Sequence, residues 1–238
     1  MDMDISKAKD ILDYWFSKGL YTSDYDKWFM KSQDYDEEIK EKFGDLLKEA
    51  EQGKGFGWLH TKDSYVAYII LLDQFSRHIY RGSGDSFKND TGVMIFTELG
   101  FELYKNQLKG YEFMFAFMPY MHTENMGYQT KGMNYFNRHI ALYKNENHRN
   151  PPQTGRPHQI HREITIENHS PMMGYIPEKT NNTKEYEMLM SMGEHVEGHK
   201  RVIHMYGRFP KRNAVLGRTS TKKEIQYMNN ENVKKRPY

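Results

Sequence analysis

The sequence predicts an all-α fold of about seven to nine helices with antiparallel neighbours, and two observations carry that prediction. Apolar residues recur at helical spacing along most of the chain, and two stretches, Tyr65–Leu72 and Phe113–Met121, are apolar on every side, as helices at the centre of a core must be. A third observation sets the outline. From about Asn145 to Thr183 the periodicity lapses, and this segment holds five of the eight prolines and four of the eleven histidines, so it is expected to be one long irregular insertion between helices.

The elements follow in order. Ile5, Ala8, Ile11, Leu12, Trp15 and Phe16 form a first stripe, with Gly19 placed to end it. Asp34 with Glu37 resembles a capping box ahead of Tyr35, Ile39, Phe43, Leu46, Leu47 and Ala50, and the Gly53, Gly55 and Gly57 cluster stops that helix. A third helix runs from about Lys62 into Asp73-Gln74-Phe75-Ser76-Arg77-His78-Ile79-Tyr80-Arg81. The Gly82-Ser83-Gly84-Asp85 turn separates it from a fourth, about Ser86 to Lys105, with Phe87, Met94, Leu99 and Leu103 inward. The fifth is the apolar stretch around Phe113–Met121, placed beside the third in the core. Pro119 is expected to kink or end it, leaving His122-Thr123-Glu124-Asn125 irregular. A sixth, Gln129 to Tyr143, turns Met133, Phe136, Ile140 and Tyr143 inward. A seventh, Lys184 to Tyr206, carries Tyr186, Leu189, Met190, Val196, Ile203 and Tyr206 on one side, with His199 on that same side. Within the insertion, Glu163–Ile166 reads as a short strand.

At 238 residues with 37% hydrophobic content, the chain is long enough for one sizeable core, so a single helical domain is expected over 1–228, with a basic mobile tail over 229–238 that includes Lys234, Lys235 and Arg236. Thirty-four Lys and Arg against 32 Asp and Glu leave a net charge of +2, which demands neither a specific nucleic acid nor an anionic membrane as partner. The absence of cysteine excludes disulfides, a thiol nucleophile and Cys-based zinc or iron–sulfur sites. No apolar run approaches the roughly 20 residues of a membrane span, and Met1-Asp2-Met3-Asp4 lacks the basic and apolar regions of a secretory signal, so a soluble cytoplasmic protein is expected.

Polar groups emerging from the end of an all-apolar helix are paired inside the protein or line a pocket. If the third helix continues through Arg81, then Asp73, Arg77 and Arg81 share one row and Gln74 and His78 a parallel one. Two arginines against one carboxylate leave surplus positive charge, which suits a phosphate or carboxylate ligand. An i,i+4 ion pair closing a helix accounts for Asp73 and Arg77 equally well. His122 and Glu124, beyond the proline, are residue types that move protons near neutral pH, with a helix cap and a hydrogen-bonded linker as their structural alternative. The third group is the loop around Gly207, where Arg208, Arg212 and Asn213 project beyond a left-handed glycine and Pro210, with His199 on the helix before it. Asp73, His122, Glu124 and His199 form a conceivable mixed metal set that nearby arginines oppose, and His158, His161, Glu163 and His169 match no zinc spacing, so no metal is expected. Walker, dinucleotide-binding, nucleophile-elbow and His-Glu-x-x-His patterns are absent, and no cofactor is expected.

Leu12-Asp13-Tyr14-Trp15-Phe16, Trp28-Phe29, Leu72-Asp73-Gln74-Phe75 with Arg77 and Arg81, Pro119 before His122 and Glu124, and Gly207-Arg208-Phe209-Pro210 with Arg212-Asn213 together resemble a mainly bacterial family, domain of unknown function 924. The resemblance spans about residues 5 to 225 apart from the insertion. It implies a helical fold grouped with tetratricopeptide-like arrays and no established activity. The family's polar motif residues fall on Asp73, Gln74, Arg77, Arg81, His122, Glu124, His199, Arg208, Arg212 and Asn213. Ser76 stands where the family usually has proline, and His78 where it usually has asparagine.

Two functions follow as expectations. In the first, the chain is a hydrolase-like acid–base enzyme or a binder of a small anionic molecule. Arg77, Arg81, Arg208 and Arg212 with Asp73, Gln74 and Asn213 hold the ligand, and His122, Glu124 or His199 transfers a proton. In the second, a non-catalytic tetratricopeptide-like module binds a peptide or protein partner along its groove, although no 34-residue internal repeat is present.

Overall fold

The computed structural model describes residues 3–20, 22–149, 182–230 and 233. The helices are α1 (Lys7–Trp15), α2 (Tyr25–Phe29), α3 (Gln33–Glu51), α4 (Lys62–Ile69), α5 (Ser76–Ile79), α6 (Val93–Tyr104), α7 (Tyr111–His122), α8 (Met126–Arg149), α9 (Asn182–Tyr206) and α10 (Lys222–Met228). A π-helical turn, Ile70–Phe75, joins α4 to α5, and short 3-10 turns occupy Phe56–Leu59, Gly84–Phe87 and Pro210–Arg212. With α4, the π turn and α5 taken as one continuous helix, the described residues hold nine helices and no strand. The strand expected at Glu163–Ile166, the histidines His158, His161 and His169, and the basic tail residues Lys234, Lys235 and Arg236 lie outside the described residues, as does the side chain of Tyr143.

The two all-apolar stretches form the centre. Every residue from Ser64 to Ser76 and from Glu112 to Met121 is buried. α4 packs on α1, α6 and α7, the π turn and α5 pack on α3, and α8 and α9 pack on each other and on α7. Aromatic rings join these layers: Trp15 lies 5.3 Å from Phe75 and 5.3 Å from Phe115, and Trp28 lies 5.0 Å from Phe115, with edge-on geometry throughout. Close approach depends on Gly100, where a Cβ would stand 2.2 Å from the Tyr65 ring.

Several boundaries differ from the sequence reading. Ser32, not Asp34, caps α3 by accepting from the Tyr35 N–H, because Ser32 is the extended residue before the first helical turn. The helix expected from Ser86 begins only at Val93. Ser86 Oγ donates to the Tyr80 carbonyl, tying the residue into a turn, and Val93 N–H takes Asn89 O at 2.8 Å. The later start rotates the buried face onto Val93, Met94, Phe96, Thr97 and Phe101, so Leu99 and Leu103 are 48% and 61% exposed rather than inward. Met190 is likewise at the surface; α9 buries Leu189, Met192, Val196, His199, Val202 and Ile203 instead. α7 runs through Pro119 to His122, since burial of the whole segment outweighs one missing backbone hydrogen bond. His122 is therefore the last helical residue, not part of an irregular stretch. α8 extends past Tyr143 to Arg149 and α9 begins at Asn182, so both ends of the expected insertion are helical. α2 and α10 were not apparent from periodicity; α10 is set by a Thr221–Glu224 capping box.

Candidate functional site

The π turn positions the first wall. Its extra residue per turn shifts the phase of the helix and loosens the backbone ladder, and the Ser76 hydroxyl donates to the Leu72 carbonyl at 2.6 Å. Within this turn the Asp73 carboxylate is fully buried. It accepts from His122 Nδ1 at 2.8 and 2.9 Å and from the Gln74 amide, and Arg77 Nη1 lies 3.1 Å away. Burial opposes the charge on Asp73, but Arg77, His122 and Gln74 together hold its carboxyl below the usual range. Burial, then Arg77, pushes His122 below the usual histidine value. The pair is thus an ionised carboxylate and a neutral imidazole, whose proton the hydrogen-bond network assigns to Nδ1. Nε2, which makes no hydrogen bond among the described residues, is left with its lone pair on a ring that lines a cavity.

The second wall comes from the loop after α9. Gly207, at φ 69, turns the chain out of α9 as the sequence predicts, and Phe209 leads into the 3-10 turn that carries Arg212. Arg212 Nη1 donates to Asp90 Oδ2 at 2.8 Å and Nη2 to the His122 carbonyl at 2.9 Å, while Arg77 Nη2 donates to the other oxygen of Asp90 at 2.8 Å. Asp90 therefore clamps two arginines from opposite ends of the chain. The Arg212 guanidinium lies over Phe87 at 4.3 Å and Phe209 at 4.4 Å. His199 completes this end. Its ring centroid is 6.1 Å from that of His122, its Nδ1 is 2.7 Å from the His195 carbonyl, and burial keeps it neutral down to about 3.

These groups border a cavity of about 630 Å³. Gln74, Arg77, Arg81, His122, His199 and Arg212 are on its wall, with Asp73 behind His122. The rest of the wall is formed in part by Trp28, Tyr111 and the methionines Met114, Met118, Met188 and Met192. Three of the expected site residues are placed elsewhere. Glu124 accepts from the Phe209 N–H at 2.8 Å and pairs with both terminal nitrogens of Arg218 at 2.6 and 3.0 Å. Arg208 pairs with Glu224 at 2.7 and 2.9 Å, and Asn213 donates to Ser220 Oγ at 3.0 Å. These three staple the 207–224 segment. With Glu124 facing Arg218, the mixed metal set is not assembled, and among the described residues no group of three or more His, Asp and Glu is arranged to hold a metal.

The model of a family described as bacterial proteins of unknown function, DUF924, matches residues 11–232. The chain belongs to the DUF924 family. No curated protein matches it. A solved structure of a protein of unknown function, ATU0120 from Agrobacterium tumefaciens, superposes on this DUF924 chain with a TM-score of 0.65 at 24% identity, over 94% of this chain and 97% of that one, a likeness of fold. No helix among the described residues is long and apolar enough to cross a membrane.

Sequence reasoning missed the carboxylates that neutralise the arginines in this DUF924 chain. The surplus positive charge expected at Asp73–Arg81 is cancelled from a distance. Asp36 of α3 accepts from Arg81 Nε and Nη2 and lies 2.8 Å from His78 Nδ1, and Asp90 takes Arg77 and Arg212. Phe87, Arg218 and His195 were missed likewise. Only Phe87 carried a signal, its predicted inward orientation. His78, where the family usually has asparagine, is held neutral by burial against the partly compensating Asp36.

Proposed function

We propose that the cavity binds a small anionic molecule against Arg77 and Arg212 and that His122 Nε2 exchanges a proton with it or with an attacking water, hydrolysis being the most economical chemistry for this residue set. The observation that carries the reading is the buried Asp73 carboxylate on His122 Nδ1, with the ring's other nitrogen unengaged toward the cavity. A carboxylate on Nδ1 fixes the tautomer and steadies the imidazolium that forms when Nε2 takes a proton. Gln74 gives its amide N–H to Asp73 and, at 3.2 Å, to Met118 Sδ, so it positions the pair rather than the ligand. His199, held neutral by burial and facing His122, adds an uncharged imidazole to the same wall. Side chains from separate segments of the chain converge on one cavity, which favours a small molecule over a peptide or protein laid along an array.

The test is a nitrogen-15 NMR titration of the histidine side chains. Unliganded His122 is expected as the Nδ1–H tautomer, titrating below the ordinary 6.5. Saturation with an anion from a panel of carboxylates and phosphates is expected to raise that value by about one unit, as a nearby negative charge favours the imidazolium. A His122 signal indifferent to every anion in the panel overturns the reading.

A further inference from the structure

The cavity is graded in polarity along two of its walls. On α7 the lining runs back from His122 through Met121, Met118 and Met114 to Tyr111, and on α9 it runs back from His199 through His195, Met192 and the small Ser191 to Met188. Each of these paths spans twelve residues, about 16 Å of helix at 1.5 Å per step. The polar ends coincide, since the two histidine rings are neighbours. Away from them Trp28 lies 4.6 Å from Tyr111, closing the far part with aromatic surface. Methionine thioethers present an adaptable apolar lining that moulds to unbranched or aromatic groups. A site made only for a small inorganic anion has no use for that length of apolar wall.

The head is also nearly neutral. Arg77, Arg81 and Arg212 are matched by Asp36, Asp73 and Asp90, and Lys211 adds a cation whose Nζ donates to the Val233 carbonyl at 2.7 Å. Arg77 directs Nη1 to the Asp73 carbonyl and carboxylate and Nη2 to Asp90, and Arg212 directs one donor to Asp90 and one to the His122 carbonyl; with five donors on each guanidinium, both retain N–H groups for a ligand. Such a wall offers directed hydrogen bonds with little excess charge. It suits a group of one negative charge better than a phosphate, which carries nearly two.

Resting on the reading of this cavity as an anion site, we propose that its ligand is an amphipathic monocarboxylate: a carboxylate held by Arg77 and Arg212 beside His122, with an alkyl or aryl body lying along the methionines of α7 and α9. Esters and amides of such acids are the corresponding substrates for hydrolysis, with the acid as product.

The experiment is calorimetric titration of the full chain with acetate, butanoate, hexanoate, octanoate, octanol and octyl phosphate, alongside the histidine NMR readout. Affinity is expected to rise about three- to fourfold per methylene from butanoate to octanoate, the worth of a buried CH₂. Octanoate is expected to bind at least tenfold tighter than octanol or octyl phosphate. Met188→Glu, at a partly exposed position on the apolar part of the wall, is expected to weaken octanoate at least tenfold. Short anions that shift His122 while chain length brings no gain would overturn the monocarboxylate proposal and leave the anion site standing. Tighter binding of octyl phosphate would overturn the choice of head group. Silence of His122 toward all six compounds would remove both readings.

Discussion

Two polar clusters stand within reach of each other and differ in what they leave unsatisfied. In the Asp73–His122–Arg77–Asp90–Arg212 cluster every carboxylate is paired, yet the imidazole keeps one nitrogen without a hydrogen bond and two guanidiniums keep donors on a cavity wall. In the Glu124–Arg218–Phe209 cluster, Glu124 takes a backbone N–H and a forked guanidinium, and none of its residues except Phe209 reaches the cavity. Both join arginine to carboxylate at comparable distances. The donor that the second leaves over, Arg218 Nε, is buried and away from the cavity, so that cluster serves to hold a loop, while the first closes around an opening, which gives a ligand something to complete.

The largest break in that comparison is Arg77→Ala. It strands Asp73, whose side chain is fully buried, and removes one of the two cations from Asp90. Removing one partner of a buried pair leaves an uncompensated charge, so unfolding free energy measured by urea titration is expected to fall by about 3–5 kcal/mol. Loss of ligand binding in this variant would therefore report folding as much as recognition. A fall under 1 kcal/mol would mean that the buried carboxylates find other partners.

Next in size is the pH dependence, which separates the clusters by window. His199 stays neutral to about 3 in the folded protein, and His122 is also held below its ordinary value. The unfolded chain binds a proton on each near pH 6.5, so stability present above that pH is lost as pH falls, by about 1.4 kcal/mol per pH unit for each histidine kept neutral. Asp73 and Glu124 have lowered values, so their contribution persists until pH drops below about 4 and is lost only there. Denaturant melts from about pH 7 to 4 are expected to show the histidine slope, and His199→Gln to reduce it by about 1.4 kcal/mol per unit across that window. An unchanged slope would place the titration elsewhere.

Much of the fold was legible because burial on all sides leaves a mark in a single sequence. Tyr65–Leu72 and Phe113–Met121 declared themselves as central, and Gly207 announced a helix end that the structure keeps at positive φ, whereas α1 already stops at Trp15, ahead of Gly19. Most of the expected polar residues do come together around His122. What the sequence could not convey was charge balance over distance. Asp90 is 122 residues from Arg212 and Asp36 is 45 from Arg81, and nothing in local spacing marks either aspartate as a partner. The same blindness placed Glu124 in the site, since residue type and a nearby proline say nothing of Arg218 lying 94 positions away. The π turn was also hidden: Ile70–Phe75 has ordinary helical composition, and nothing in it marks the widened backbone turn.

The smallest expected effect sharpens the comparison most. Glu124→Gln keeps an oxygen to accept the Phe209 N–H while removing the charge that Arg218 faces. Because Glu124 is half-buried and one of its hydrogen bonds survives, the loss of stability is expected to be about 1 kcal/mol. Arg212 feels both clusters, lying near Glu124 while bonded to Asp90, so it is the path from one to the other. Its guanidinium is nevertheless fixed by Asp90, the His122 carbonyl and two aromatic faces, none of which the substitution touches. The NMR titration of His122 in Glu124→Gln is accordingly expected to overlay that of the parent protein. A shift of half a unit or more would show that the loop staple and the cavity wall are one electrostatic network, and the division between a closed cluster and an open one would fail at Arg212.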